Sequence, residues 1–176
     1  MPSNLSARLW SGGRKYFWIL SVLVLALDQL TKLLLSKFAP APDDGITIVP
    51  GFLRLIAVRH NPSGVFSLGP QRAVFYIFAT LGGLVLVGWL LATAPAERLR
   101  PHLALGFVCG GALGNLIDRL AVGAVRDFID LHWMDQAHWP TFNLADAAIC
   151  IGVGLLLLEA LLTGGKGKPG EEHREA

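Results

Sequence analysis

Charge is what this sequence has least of. Only 16% of its 176 residues are Asp, Glu, Lys or Arg, and the net charge is +2. So small a charge, with no long run of basic residues, cannot track a phosphate backbone, and nucleic acid is set aside as a partner. Cysteine is scarce as well. Cys109 and Cys150 each sit inside an apolar run, with no CxxC spacing and no histidine pattern for zinc or haem. They read as small buried apolar residues, implying neither a disulfide framework nor a metal site. The chain contains no HExxH, no GxSxG, no phosphate-binding loop and no dinucleotide fingerprint. Zinc, serine and nucleotide chemistry therefore lack their residues at the usual spacing, and no cofactor is expected.

Apolar sequence is what the chain has most of: 53% hydrophobic residues and a mean hydropathy of +0.52, unlike a soluble domain. A helix of roughly 20 apolar residues spans the hydrocarbon core of a bilayer. Four runs have that length, at about residues 16–35, 72–94, 102–120 and 145–162. The predicted fold is an all-α membrane protein with four transmembrane helices and a small β-rich segment, 36–71, between the first and second. A single membrane domain is expected over 1–165, with a Gly-rich charged tail, 166–176, that is disordered. The first run competes with a cleaved signal peptide, because Ala39-Pro40-Ala41 loosely resembles a cleavage site. Its length and the interruptions at Asp28 and Lys32 favour a retained helix.

Between the first two spans, Pro40, Pro42, Pro50 and Pro62 break helices, and ITIV and FLRLIAVRH have strand-like character. Asn61-Pro62-Ser63-Gly64 reads as a turn. In the third span Gly106, Gly110 and Gly114 recur every fourth residue, leaving a face on which another backbone can approach. Trp133 and Trp139 suit the lipid–water interface. The terminal segments and the short connection between the second and third spans carry eight Lys and Arg residues, against six in the other two loops. That bias places both termini in the cytoplasm and 36–71, with the loop around Asp127, on the outer side.

Five of the eight aspartates lie between Gly110 and Ile149, a stretch whose two ends run into apolar helix-like sequence. An ionisable group at a membrane boundary marks a functional site by default. Asp28 and Lys32 stand four apart and pair on one helical face; Asn115, Asp118 and Arg119 stand at i, i+3 and i+4. Asn143 and Asp146, three apart, have the spacing of a helix N-cap with an acidic first turn. Two carboxylates brought together from different elements repel, share one proton and do acid and base work, as in aspartic proteases. Spacing alone does not select the pair: Asp127 and Asp146 are candidates, and Asp118 or Asp130 serve equally as partners on composition.

Five motifs occur in order: Asp28-Gln29-Leu30-Thr31-Lys32, Asn61-Pro62-Ser63-Gly64-Val65-Phe66, GGALGNLIDR from Gly110, VRDFID from Val125 and FNLADAAI from Phe142. In this combination, over about residues 16–162, the chain resembles bacterial lipoprotein signal peptidase, also called signal peptidase II. The resemblance implies a membrane aspartyl endopeptidase that cuts diacylglyceryl-modified prolipoproteins just before the lipidated cysteine. It implies catalytic roles for Asp127 and Asp146. Asn115, Asp118, Arg119, Asn143 and Gly111 would surround the dyad, and Asn61, Gly64, Asp28 and Lys32 would support it. It also implies an outer β-rich platform that holds substrate beside the bilayer. Expected partners are lipid-modified prolipoproteins and membrane lipid; the expected state is a monomer in the bacterial inner membrane with its site on the outer face. Arg126 and Asp130 depart from the pattern by flanking the motif with charge, and Asp130 and Asp135 are expected to be solvated. The alternative is a small proton-coupled transporter or channel with Asp28, Lys32, Asp118 and Asp146 as a relay. The short chain, the lack of an internal repeat and the clustering of acids at one surface weigh against it. A helix-packing adaptor using the Gly106 to Gly114 face leaves the acids unexplained.

Overall fold

The computed structural model of the protein describes residues 12–38, 45–61, 73–134 and 137–164. Gly64, Asp135 and the expected tail, 166–176, lie outside the described residues. Four helices, α1 (Arg14–Phe38), α2 (Ala73–Thr93), α3 (Leu99–Ala121) and α4 (Leu144–Gly164), are each long and apolar enough to cross a membrane. α1 runs through Phe38, so Ser36 and Lys37, expected in the extramembrane segment, are helical. α3 begins at Leu99, ahead of the expected start, because Pro101 falls in its first turn, where a missing N–H leaves no bond unmade.

α3 is the central helix, packing against α1, α2 and α4. Of its most apolar stretch 61% is buried, against 6% for α2, whose apolar surface is left exposed. The glycine face explains how the helices come so close. A Cβ on Gly110 would lie 2.6 Å from the Ser21 carbonyl of α1, and one on Gly111 would lie 2.5 Å from the Ala145 carbonyl of α4. Phe17, Val87, Leu105 and Cys109 form the apolar core, which burial of Cys109 completes as expected. Cys150, by contrast, is exposed.

The start of α1 and the α2–α3 turn share one end of the bundle, where the Gly13 N–H donates to the Ala96 carbonyl at 2.6 Å. Glu159, near the end of α4, faces Arg98 and Arg100 at 3.8 Å there. The opposite end carries a sheet of β1 (Ile46–Val49), β2 (Leu53–Asn61), β3 (Val125–Trp133) and β4 (Ala137–His138), antiparallel in that order. The VRDFID segment, expected to be a loop, is thus a strand. β2 pairs along it, Arg59 opposite Asp127 and Asn61 opposite Val125, and supplies the backbone partners that a short polar-apolar run lacks alone. Trp133 and Trp139 stand exposed at the edge of this sheet, beside Phe52.

Candidate active site

β3 emerges from beneath the end of α3 with Val125, Asp127 and Phe128 buried. On the side away from β2 it meets Phe142: the Ile129 N–H donates to the Phe142 carbonyl at 2.9 Å, and the Phe142 N–H donates back at 3.1 Å. That pairing sets the next residue, Asn143, beside Asp127. Asn143 is fully buried and its Nδ2 donates to Asp127 Oδ1 at 2.8 Å. From the other side Asn61, the last residue of β2, donates to Asp127 Oδ2 at 2.9 Å.

Asn143 is also the N-cap of α4. Its Oδ1 accepts the Asp146 N–H at 3.0 Å, and its own N–H points to Asp146 Oδ2 at 3.4 Å, a reciprocal capping box. The spacing read in the sequence as a cap is therefore a cap, and the same amide touches both aspartates. Asp146 Oδ1 accepts a further bond, 2.7 Å, from Asn115 Nδ2 of α3. Asp127 and Asp146, expected as a pair, are joined through Asn143. Burial pushes the Asp127 carboxyl up to about 6, and the neighbouring Asp146 charge adds to the rise; bonds from Asn61 and Asn143 and the charge of Lys32 act against it.

Behind these carboxylates lies a second group of charges, fully buried. Lys32 Nζ donates to Asp28 Oδ2 at 2.8 Å, to Asp118 Oδ2 at 3.0 Å and to Asn115 Oδ1 at 3.2 Å. All three ammonium protons are used. Because Asn115 accepts from Lys32, its amide nitrogen is turned toward Asp146. The i, i+4 pairing of Asp28 and Lys32 is present as expected, and Asp118 joins it. The Ala145 N–H donates to Asp28 Oδ1 at 3.0 Å. Gly114 leaves room for this, since a side chain there would strike Asp28.

Arg119 takes a different direction from Asn115 and Asp118. Its guanidinium lies over the Tyr76 ring, 5.2 Å from the centroid, within electrostatic reach of Asp146 and Asp127. Nothing in the sequence marked Tyr76. Gln29 and Arg126 were also missed as members of the network: Gln29 Nε2 donates to Asp28, Asp118 and the Gly114 carbonyl, and Arg126 reaches Gln29 Oε1. Asp130, expected to be solvated, is buried and paired across the strands with Arg54, 3.0 Å away. Among the described residues no cluster of His, Cys, Asp or Glu is grouped to hold a metal ion.

The family profile described as "Signal peptidase (SPase) II" matches residues 20–162. The chain belongs to the signal peptidase II family. It is 40% identical over 142 residues to the lipoprotein signal peptidase of Syntrophotalea carbinolica, covering 80% of this chain and 87% of that one. To the lipoprotein signal peptidase of Shewanella pealeana it is 39% identical over 182 residues, covering 99% and 100%. Its structure is similar to that of a bacterial membrane enzyme solved by the in meso method, with a TM-score of 0.81 at 26% identity over 93% of this chain and 98% of that one. A second such structure gives 0.72 at 28% identity over 87% and 96%. Membership of the signal peptidase II family makes the protein a peptidase with membrane-crossing helices. It directs attention to the polar end of the bundle, where all five motifs read in the sequence converge, except for residues 62–66 of the second, which lie outside the described residues.

Proposed function

We propose that the protein is an aspartic endopeptidase of the inner membrane that removes the signal peptide from diacylglyceryl-modified prolipoproteins, cutting just before the lipidated cysteine. Asp127 and Asp146 are its catalytic residues, and the four helices and sheet work as one membrane domain. The observation that carries this reading is the double engagement of Asn143, with its side-chain amide on Asp127 and a capping box on Asp146. The names of its relatives and the family profile support the substrate class.

In the reaction one carboxylate is ionised and takes a proton from a water that attacks the scissile carbonyl, while the other, protonated, gives its proton to the carbonyl oxygen. The tetrahedral diol then collapses as a proton passes to the leaving nitrogen. A carboxyl raised to about 6 by burial is suited to hold a proton that an ordinary aspartate gives up. Amide donors hold such a group in place and favour its ionised form less strongly than a cation in their position would. Both termini lie on the cytoplasmic side and the sheet end faces outward, where a lipid anchor brings the scissile bond to the level of the dyad.

The test is Asp127→Asn and Asp146→Asn in the full chain, assayed on a diacylglyceryl-modified proprotein. Each lowers cleavage on the order of 10³-fold or more, with little change in thermal midpoint in detergent. Cleavage retained in either variant would falsify the dyad.

A further inference from the structure

Arg126, a departure from the expected motif, ends a chain of contacts that has Asp118, Lys32 and Asp28 along its length. Its Nη2 lies 2.6 Å and its Nε 3.2 Å from Asp118 Oδ1, and its backbone N–H donates to Asp118 Oδ2 at 3.0 Å. From Asp118 the contacts pass to Lys32 at 3.0 Å, to Asp28 at 2.8 Å, and from Asp28 to the N–H of Ala145 at 3.0 Å. The signs alternate, two positive and two negative, and the chain finishes at the N-terminus of α4, where the helix dipole is positive. Its two ends, Arg126 and Ala145, are the residues immediately before Asp127 and Asp146.

We propose that Arg126 is a positioning residue that closes this buried neutral chain, so that β3 and the first turn of α4 are held at one separation and the two carboxylates stay in register. The proposal rests on the aspartic reading of the site. Successive side chains of a strand leave opposite faces, so Arg126 acts through the placement of Asp127 and not by touching substrate. A planar fork that binds Asp118 twice and Gln29 once fixes direction as well as distance, which an ammonium does not. Without the guanidinium, β3 keeps a single backbone bond to Asp118, and the chain beneath the dyad is left with one uncompensated negative charge. The other charged or titratable groups facing the dyad are Lys32 and Asp28 from α1, Tyr76 from α2, Arg119 and Asp118 from α3, and Arg59, which stands opposite Asp127 on β2. None of them changes with the substitution, so the added negative charge raises the proton affinity of the dyad.

The experiment compares Arg126→Met, Arg126→Lys and Asp127→Asn in the full chain, with a diacylglyceryl-modified prolipopeptide in mixed micelles as substrate. Misplacement of reacting groups by a fraction of an ångström to an ångström lowers kcat for Arg126→Met on the order of 10- to 100-fold. KM stays within about twofold, because uniform substrate binding is not what is lost. The pH profile of kcat/KM moves to higher pH. Arg126→Lys returns the profile to its original position, with kcat still below that of the unaltered protein. Wild-type kcat and profile in Arg126→Met, or a change in KM alone, overturns the proposal. If Arg126→Met yields no folded protein, Arg126→Lys decides: lowered kcat at unchanged KM supports it and wild-type kcat overturns it. Persistent activity in Asp127→Asn overturns the aspartic reading itself, and the proposal with it.

Discussion

Four of the described aspartates, Asp28, Asp118, Asp127 and Asp146, meet where the helices and the sheet join, and they are held in two different ways. Asp28 and Asp118 are held by cations, Lys32 between them and Arg126 beyond. Asp127 and Asp146 are held by the amides of Asn61, Asn143 and Asn115. Both arrangements satisfy oxygen atoms that burial has removed from water, and an unsatisfied one is costly. A cation at about 3 Å brings a full opposite charge to a carboxylate, whereas an amide brings only a dipole and holds its position with a weaker preference for either charge state. The two groups meet at Asn115, which accepts from Lys32 and donates to Asp146. On the proposed reading, one buried cluster serves as scaffold and the other as chemistry, with a single amide relating their geometry.

The largest expected effect comes from breaking the scaffold. Lys32→Met keeps the length of the side chain and removes the charge that Asp28 and Asp118 share. Removing one partner from a buried ion pair costs about 3–5 kcal/mol. For a domain of this size about 1 kcal/mol moves the thermal midpoint by about 2–4 °C, so unfolding in detergent should come earlier by about 6–20 °C. Adding Asp28→Asn to the same chain lowers the number of unpaired charges and recovers part of the loss. An unchanged midpoint in Lys32→Met would remove the distinction between scaffold and site.

A smaller effect sharpens the other half of the comparison. Asn61 donates to Asp127 and so favours its ionised form. Asn61→Ala removes that bond and raises the group further above about 6. A hydrogen bond to a charged group is worth about 1.5–3 kcal/mol and one pKa unit about 1.4 kcal/mol, so the alkaline limb of kcat/KM moves up by about one to two pH units. The sign also governs stability. The folded carboxyl binds its proton more tightly than the unfolded one, so its contribution is full below about pH 4 and is lost as pH rises through about 6. Asn61→Ala carries that loss to higher pH. A limb that stays in place, or moves down, shows that the amides do not tune the pair.

How much of this was legible in the sequence follows the range of the contacts. The four helices were, since each is a long apolar run, and so were the Asp28–Lys32 pair and the Asn143–Asp146 cap, which are separated by four and three residues. The glycine face was legible because small residues every fourth position have one use in a bundle, and α1 packs there. The strand carrying Asp127 was not, because Asn61 and the rest of β2 lie far away along the chain, and the short run has no period of its own. Arg126 looked like an intrusion of charge for the same reason: its partner Asp118 ends a helix, and only the folding of β3 back under that helix brings them together. Asp130 was misjudged because an acidic residue in a short polar stretch looks solvated until a cross-strand arginine is known.

That arginine gives the smallest expected effect and the most direct check on how well the site is insulated. Arg54 is about one-third exposed, and it meets Asp130 at 3.0 Å across β2 and β3. Solvent screening limits such a pair to about 1 kcal/mol or less, so Arg54→Ala should shift the thermal midpoint by no more than about 2–4 °C. Asp130 lies three positions beyond Asp127 and so leaves the strand on the other face. Its partner Arg54 is screened by solvent, whereas Arg126 and Asp118 belong to the buried chain behind the dyad, so this change in pairing should leave the pH profile of cleavage where it was. If Arg54→Ala moves the alkaline limb as far as Asn61→Ala does, any charge on β3 reaches the dyad, and being held by amides is not what sets Asp127 apart.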